Sequence, residues 1–220
     1  MNRDQQQGTS TPGSPWAVLI GLIWSLGFPA LPLGRWIDEF AGVGHLVAYD
    51  LIWWGAALML LLHLRFVEHK ALTSLGFWRP RLTEIALGAV GGIVTVAGLA
   101  VLFFVVLPRI GAAEGGQLDQ LKSTPMWWRI ASVFRAAFCE ELFFRGYAIS
   151  RLEALLRTRR WAILISLAIF TVEHVGMWGW GHLLIAGFGG TMLTLIFIWR
   201  RNLWISIAAH VVIDGIAVLA

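Results

Sequence analysis

From residue 16 onward the sequence is a succession of apolar runs broken by short clusters of Arg and Lys. Most runs approach the ~20 residues that a helix needs to cross a bilayer. Inside hydrocarbon every backbone polar group must find its partner within the protein, and runs of this length meet that demand as helices. Seven spans follow, at 16–33, 45–64, 82–107, 126–156, 161–178, 183–199 and 203–220, with six or eight as neighbouring counts. Pro29 and Pro32 are expected to bend or break the first. The fold class is therefore all-α, a polytopic transmembrane helical bundle. Residues 1–15 are polar, with Gly, Ser and Pro, and read as a disordered cytoplasmic tail ahead of a membrane domain at 16–220. Arg3 is offset by Asp4 and no small-residue cleavage motif follows, so the first run reads as a membrane segment rather than a signal peptide.

Composition agrees. Charged residues make up 14% of the 220 and hydrophobic ones 58%, against about 25% charged in a soluble domain. The net charge of +4 sits in the loops, as topology determinants do, so no nucleic-acid partner is expected. With seven spans, Arg65, Lys70, Arg79, Arg81, Arg151, Arg157, Arg159, Arg160, Arg200 and Arg201 fall on the same side as the tail. Few cations fall on the other. Positive loops favour the cytoplasm, giving an inner-membrane protein with its N-terminus inside and C-terminus outside. Trp near many run ends fits an interfacial belt. The lone cysteine, Cys139, excludes an internal disulfide and reads as a small apolar filler. Gly88 with Gly92, and Ala186 with Gly190, form small-xxx-small pairs that favour close helix packing.

Against this apolar background the segment FCEELFFR, 138–145, stands out. Each charge near a bilayer centre costs about 2.5–3.5 kcal/mol on insertion scales, so Glu140, Glu141 and Arg145 together demand a reason. Glu141 and Arg145 are four apart with the acid first, the favourable order for a pair on one helix face. Glu140 points elsewhere and is free to face another partner. The structural alternative is that both acids only tie helices together through Arg135 and Arg145. Later runs carry Glu173 with His174, and His210 with Asp214 one turn on. Counted along the helices at 1.5 Å per residue, Glu140 lies about 16 Å from Arg151, His174 about 20 Å from Trp161, and His210 and Asp214 about 10 and 16 Å from Leu203. These compatible depths, from the cytoplasmic half to the middle of the membrane, favour one shared polar site over three packing contacts.

A carboxylate beside a histidine can deprotonate water while a second histidine stabilises an oxyanion. Two histidines and a carboxylate, here Glu140, His174 and His210, equally suit a zinc ion with one open position. Both routes hydrolyse an amide. The H-E-x-x-H pattern of zincins is absent.

The ordered set Glu140-Glu141-x-x-x-Arg145, Phe170-x-x-x-His174 and His210-x-x-x-Asp214 resembles the successive motifs of the CPBP family, which comprises CAAX-type prenyl endopeptidases and bacteriocin-processing and immunity proteins. The resemblance covers about 126–217. It implies an all-helical intramembrane endopeptidase acting on a peptide or membrane-anchored protein substrate. Glu140 would be the general base assisted by His174, Glu141 with Arg145 the supporting pair, and His210 with Asp214 the oxyanion side. Metal-dependent and metal-free glutamate mechanisms are both argued for this family. Its last motif position is often Asn, and an ionised Asp214 cannot donate a hydrogen bond, so Asp214 is expected to orient His210 or to be protonated. A non-catalytic scaffold or immunity protein is the alternative. A proton-coupled transporter ranks behind it, because no internal repeat is visible.

Overall fold

A computed structural model describes residues 14–37, 44–112 and 117–219. The expected tail falls almost wholly outside these residues. Among those described, all regular structure is helical. The elements are α1 (Pro15–Gly27), a short α2 (Leu33–Ile37), α3 (Gly44–Val67), α4 (Leu82–Arg109), a short α5 (Gln117–Lys122), a long rod α6 (126–156), α7 (Arg159–Trp178), α8 (His182–Arg200) and α9 (Leu203–Leu219).

Three helices, α3, α4 and α8, are long and apolar enough to cross a membrane by length and composition, while α1 and α9 are shorter apolar helices. Only 17% of the apolar window of α4 is buried within the protein. Leu82, Phe104 and other large side chains point outward, which identifies the surrounding medium as lipid. The protein is an all-helical membrane bundle.

The first expected span is broken at its prolines, as Pro29 and Pro32 led one to expect. Its 13 residues of α1 reach about 20 Å, short of the ~30 Å hydrocarbon core. The chain then breaks at the segment holding Pro29 and Pro32 before α2 begins. What α1 does instead is pack: Ala17, Gly21, Leu22 and Ser25 are buried, and Tyr147 of α6 lies directly against Gly21, where any Cβ would collide with its ring.

The small-xxx-small pairs behave as expected. A Cβ at Gly88 or Gly92 would strike the carbonyls of Ile205 and Ala209, so α4 and α9 touch backbone to backbone. Gly190 of α8 likewise makes room for Phe170 of α7.

The basic loops gather at one end of the bundle. Arg201 pairs with Glu153 at 2.9 Å, Arg200 with Glu84 at 3.6 Å, and the Trp78 indole donates to the Arg201 carbonyl. Arg151, read from the sequence as an interfacial charge, is instead buried and bonded to Glu68 at 2.6 Å. Glu68 also takes the Tyr147 hydroxyl. This second buried cluster ties the end of α3 to α6. Of the expected interfacial tryptophans, Trp16, Trp78, Trp127, Trp161, Trp180 and Trp199 are exposed. Trp128 is not; it is buried and donates to the Leu46 carbonyl at 3.2 Å.

Candidate active site

The rod α6 is not uniform. It is α-helical to Glu140, π-helical over Glu141–Ala148, and α-helical again over Ile149–Leu156. A π turn widens the helix and shifts its hydrogen bonds from i−4 to i−5, an arrangement frequent at functional sites. The loosened carbonyls are covered from outside. Ser25 of α1 donates to the Phe143 carbonyl at 2.6 Å, and Ser166 of α7 to that of Phe144 at 2.9 Å. These hydroxyls supply what lipid cannot. The segment is packed on every side: Leu142, Phe143, Tyr147 and Ala148 have no exposed surface.

Glu141 and Arg145 are fully enclosed and meet at 3.0 Å. Arg145 also reaches the Gly190 carbonyl at 3.1 Å and the Thr194 hydroxyl at 3.4 Å on α8, and its guanidinium lies 4.2 Å from the Phe170 ring centroid. The guanidinium thus has partners on three helices, and the low cost of burying it follows from that satisfaction. Arg135, the other candidate partner of the two acids, is taken elsewhere. It bonds Asp50 of α3 at 2.7 Å beneath the rings of Tyr49 and Trp53.

Glu140 faces the other way, toward α7 and α9. Its Oε2 lies 3.9 Å from His174 Nε2 and 3.9 Å from His210 Nε2. The far nitrogen of each histidine is fixed. His174 Nδ1 is 2.7 Å from the Phe170 carbonyl, an acceptor only, so Nδ1 donates there and Nε2 is the nitrogen turned to Glu140. His210 Nδ1 is 2.9 Å from Glu141 Oε1 and donates to it. His210 Nε2 also faces Asp214 Oδ2 at 3.4 Å. With both nitrogens turned to carboxylates, His210 satisfies all of them only as an imidazolium.

The structure therefore brings Glu140, Glu141, Arg145, His174, His210 and Asp214 into one constellation spanning α6, α7 and α9. Glu173 borders it with one buried carboxyl oxygen that has no hydrogen-bond partner among the described residues. Sequence reasoning missed Thr194 and the Gly190 carbonyl, which hold Arg145, and the Phe170 carbonyl, which sets the His174 tautomer. Backbone acceptors leave no trace in side-chain identity, and Thr194 is one of two threonines in its run.

Glu140, His174 and His210 are the expected zinc ligands. Zinc takes nitrogen and oxygen ligands at about 2.0–2.2 Å in tetrahedral array. Among the described residues no group of three or more His, Cys, Asp or Glu side chains converges to hold a metal ion. Glu140, His174 and His210 are therefore described by their own geometry, without a metal between them. A separation of 3.9 Å is too long for a direct hydrogen bond and leaves Glu140 and the two imidazoles to be bridged by water or substrate.

Exposure is graded across the site. Toward the arginine-rich end of α6 and α9, Phe144, Tyr147 and Leu203 are all buried. Away from it the side chains of Glu140, His174 and Asp214 are 16%, 21% and 29% exposed.

Fold and site together define a helical membrane protein with a carboxylate–imidazole centre between its helices. Residues 122–216, which hold every member of the constellation, match the family described as Type II CAAX prenyl endopeptidase Rce1-like. No curated protein and no solved structure matches the chain.

Proposed function

We propose that this protein is an intramembrane endopeptidase of the CAAX type, cleaving a peptide bond of a membrane-associated peptide or protein with water activated by Glu140. One observation carries the reading: two imidazoles of fixed orientation stand 3.9 Å from the same oxygen of one carboxylate. A water in that gap donates one hydrogen to Glu140 and the other to His174 Nε2, which leaves its lone pair directed outward. Glu140 removes a proton as the water oxygen adds to the scissile carbonyl carbon. The carbonyl π pair moves onto oxygen, and this oxyanion accepts a hydrogen bond from His210 Nε2–H. Collapse re-forms the carbonyl and breaks the C–N bond, and the proton on Glu140 passes to the departing amine. Glu141 orients His210 through Nδ1, Arg145 holds Glu141, and Asp214 steadies Nε2 from the other side. Asp214 thus works through His210, and needs no proton of its own.

The excess of Arg and Lys at one end supports a reading with that end in the cytoplasm and the C-terminus outside, in the inner membrane. Because Glu140, His174 and Asp214 are partly exposed while the residues nearer that end are buried, substrate reaches Glu140 from the opposite end, where α7 turns into α8. Cleavage then falls at the middle of the bundle rather than in its cytoplasmic half.

The test is cleavage of a panel of lipidated C-terminal peptides and transmembrane-anchored peptides by the purified protein in liposomes. Turnover that vanishes in Glu140→Gln supports the reading. No cleavage of any member by wild-type protein, or equal cleavage by the variant, contradicts it.

A further inference from the structure

The His174 ring needs support that Glu140 does not give. At 3.9 Å the two groups touch only through what lies between them, and the Nδ1 bond to the Phe170 carbonyl is, among the described residues, the one hydrogen bond holding the edge of the ring. The support comes from a column of rings. Phe170 and His174 have centroids 4.4 Å apart at 49°. The His182 ring lies nearly parallel to His174, at 5.8 Å and 9°. Trp178 lies nearly parallel to His182 in turn, at 5.0 Å and 17°. Phe170, His174 and Trp178 are spaced by four on α7 and share a face. His182 comes from the first residue of α8.

The chain reversal makes this possible. Gly179 adopts φ +83°, a left-handed value that side-chain-bearing residues rarely take, and ends α7 with its N–H on the Val175 carbonyl. The His182 N–H then bonds the Gly179 carbonyl at 3.1 Å. Within three residues the chain has turned, and the first side chain of α8 is stacked on α7.

We propose that His182 is a positioning residue for His174. Stacked on the His174 ring and backed by Trp178, it holds Nε2 toward Glu140. The inference rests on the peptidase reading, since it assigns His182 a role through a group that the reading uses. Aromatic pairs prefer offset-stacked contacts over loose ones, and a reacting group displaced by 1 Å costs up to about 100-fold in rate. The stacking face, not the imidazole chemistry of His182, is what the role requires.

The experiment uses full-length protein in liposomes and whichever peptide of the panel wild-type protein cleaves. His182→Ala is expected to lower kcat about tenfold or more with KM nearly unchanged. His182→Phe, which keeps a flat ring, restores kcat to within about threefold of wild type, and Trp178→Ala falls between them. Thermal unfolding of each variant is measured alongside. Wild-type kcat in His182→Ala overturns the proposal, as does a His182→Phe variant that is folded yet as slow as His182→Ala. A His182→Ala variant that melts early is replaced by His182→Leu, which fills the space without a ring and carries the same two outcomes. If wild-type protein cleaves nothing, the peptidase reading falls and takes this one with it. If it cleaves normally and the variants do too, only the role of His182 falls.

Discussion

His210 Nδ1 lies 2.9 Å from Glu141 Oε1, a contact between α9 and the π-helical stretch of α6 with both side chains almost wholly enclosed. The same Glu141 oxygen receives Arg145 at 3.0 Å. One buried carboxylate oxygen therefore sets the His210 imidazole on one side and is anchored by a guanidinium on the other. The rank of Glu141 is clear from this. It does not face the gap beside Glu140, but it orients the group that does.

Breaking the buried pair should be costly. Removing one partner leaves an uncompensated charge and typically costs about 3–5 kcal/mol. Glu141→Gln and Arg145→Met are each expected to lower the unfolding midpoint sharply and to abolish cleavage. The combined Glu141→Gln, Arg145→Met variant is expected to be more stable than the two separate losses sum to, while staying inactive because His210 has lost its anchor. A double-mutant cycle read by reversible unfolding, with cleavage assayed in parallel, checks both statements.

The Glu68 cluster predicts the opposite separation of stability from activity. Glu68 binds Arg151 and Tyr147 in the buried region between α3 and α6 and touches no member of the constellation. Glu68→Ala strands Arg151 and should cost about 3–5 kcal/mol of stability. At a temperature where the variant remains folded, kcat should stay within about twofold of wild type, since no transition-state contact is lost. Unfolding curves and initial rates on one preparation decide it.

Asp214 is expected to tolerate the amide. Asn at this position keeps an oxygen toward His210 Nε2 at the present 3.4 Å. It gives up only part of the electrostatic support. Asp214→Asn should retain cleavage within about tenfold, whereas Asp214→Ala should lose more, because His210 is then held from Nδ1 alone. Steady-state kinetics of the pair provide the comparison.

Chelation addresses the zinc alternative. Glu140, His174 and His210 are expected to work on water directly, so prolonged incubation with a strong chelator should leave the rate within about twofold of the untreated enzyme. Loss of activity on chelation, restored by added zinc, would show that these side chains close around a metal. Cleavage assays with metal analysis of the same sample read this directly.

How much of this was legible in the sequence follows from the physics of each part. The apolar runs made the helices readable, and the Gly88–Gly92 pair foretold backbone contact because only glycine admits a neighbouring chain so closely. The six polar members were readable because charge in lipid demands explanation. The π turn was not. Nothing in ELFFRGYA distinguishes it from an α turn, since the serines that stabilise it, Ser25 and Ser166, lie on other helices. The break within residues 16–33 was visible in Pro29 and Pro32. Arg151 was misread because an arginine near a helix end looks interfacial until its acid, Glu68, is found in what read as a loop. The ring column escaped for a related reason. Phe170, His174 and Trp178 were readable at helical spacing, but the stacking of His182 depends on a turn geometry that sequence spacing does not report.

The central claim is that Glu140 is the base. The measurement that bears on it most directly is single-turnover cleavage, in liposomes, of a peptide that the wild-type protein processes, comparing wild type with Glu140→Gln. Gln fills the same volume and carries no charge, so the variant should be folded and at least as stable. The account predicts that its cleavage rate falls by about 100-fold or more, with peptide binding retained. A folded Glu140→Gln protein that cleaves at the wild-type rate would contradict the account.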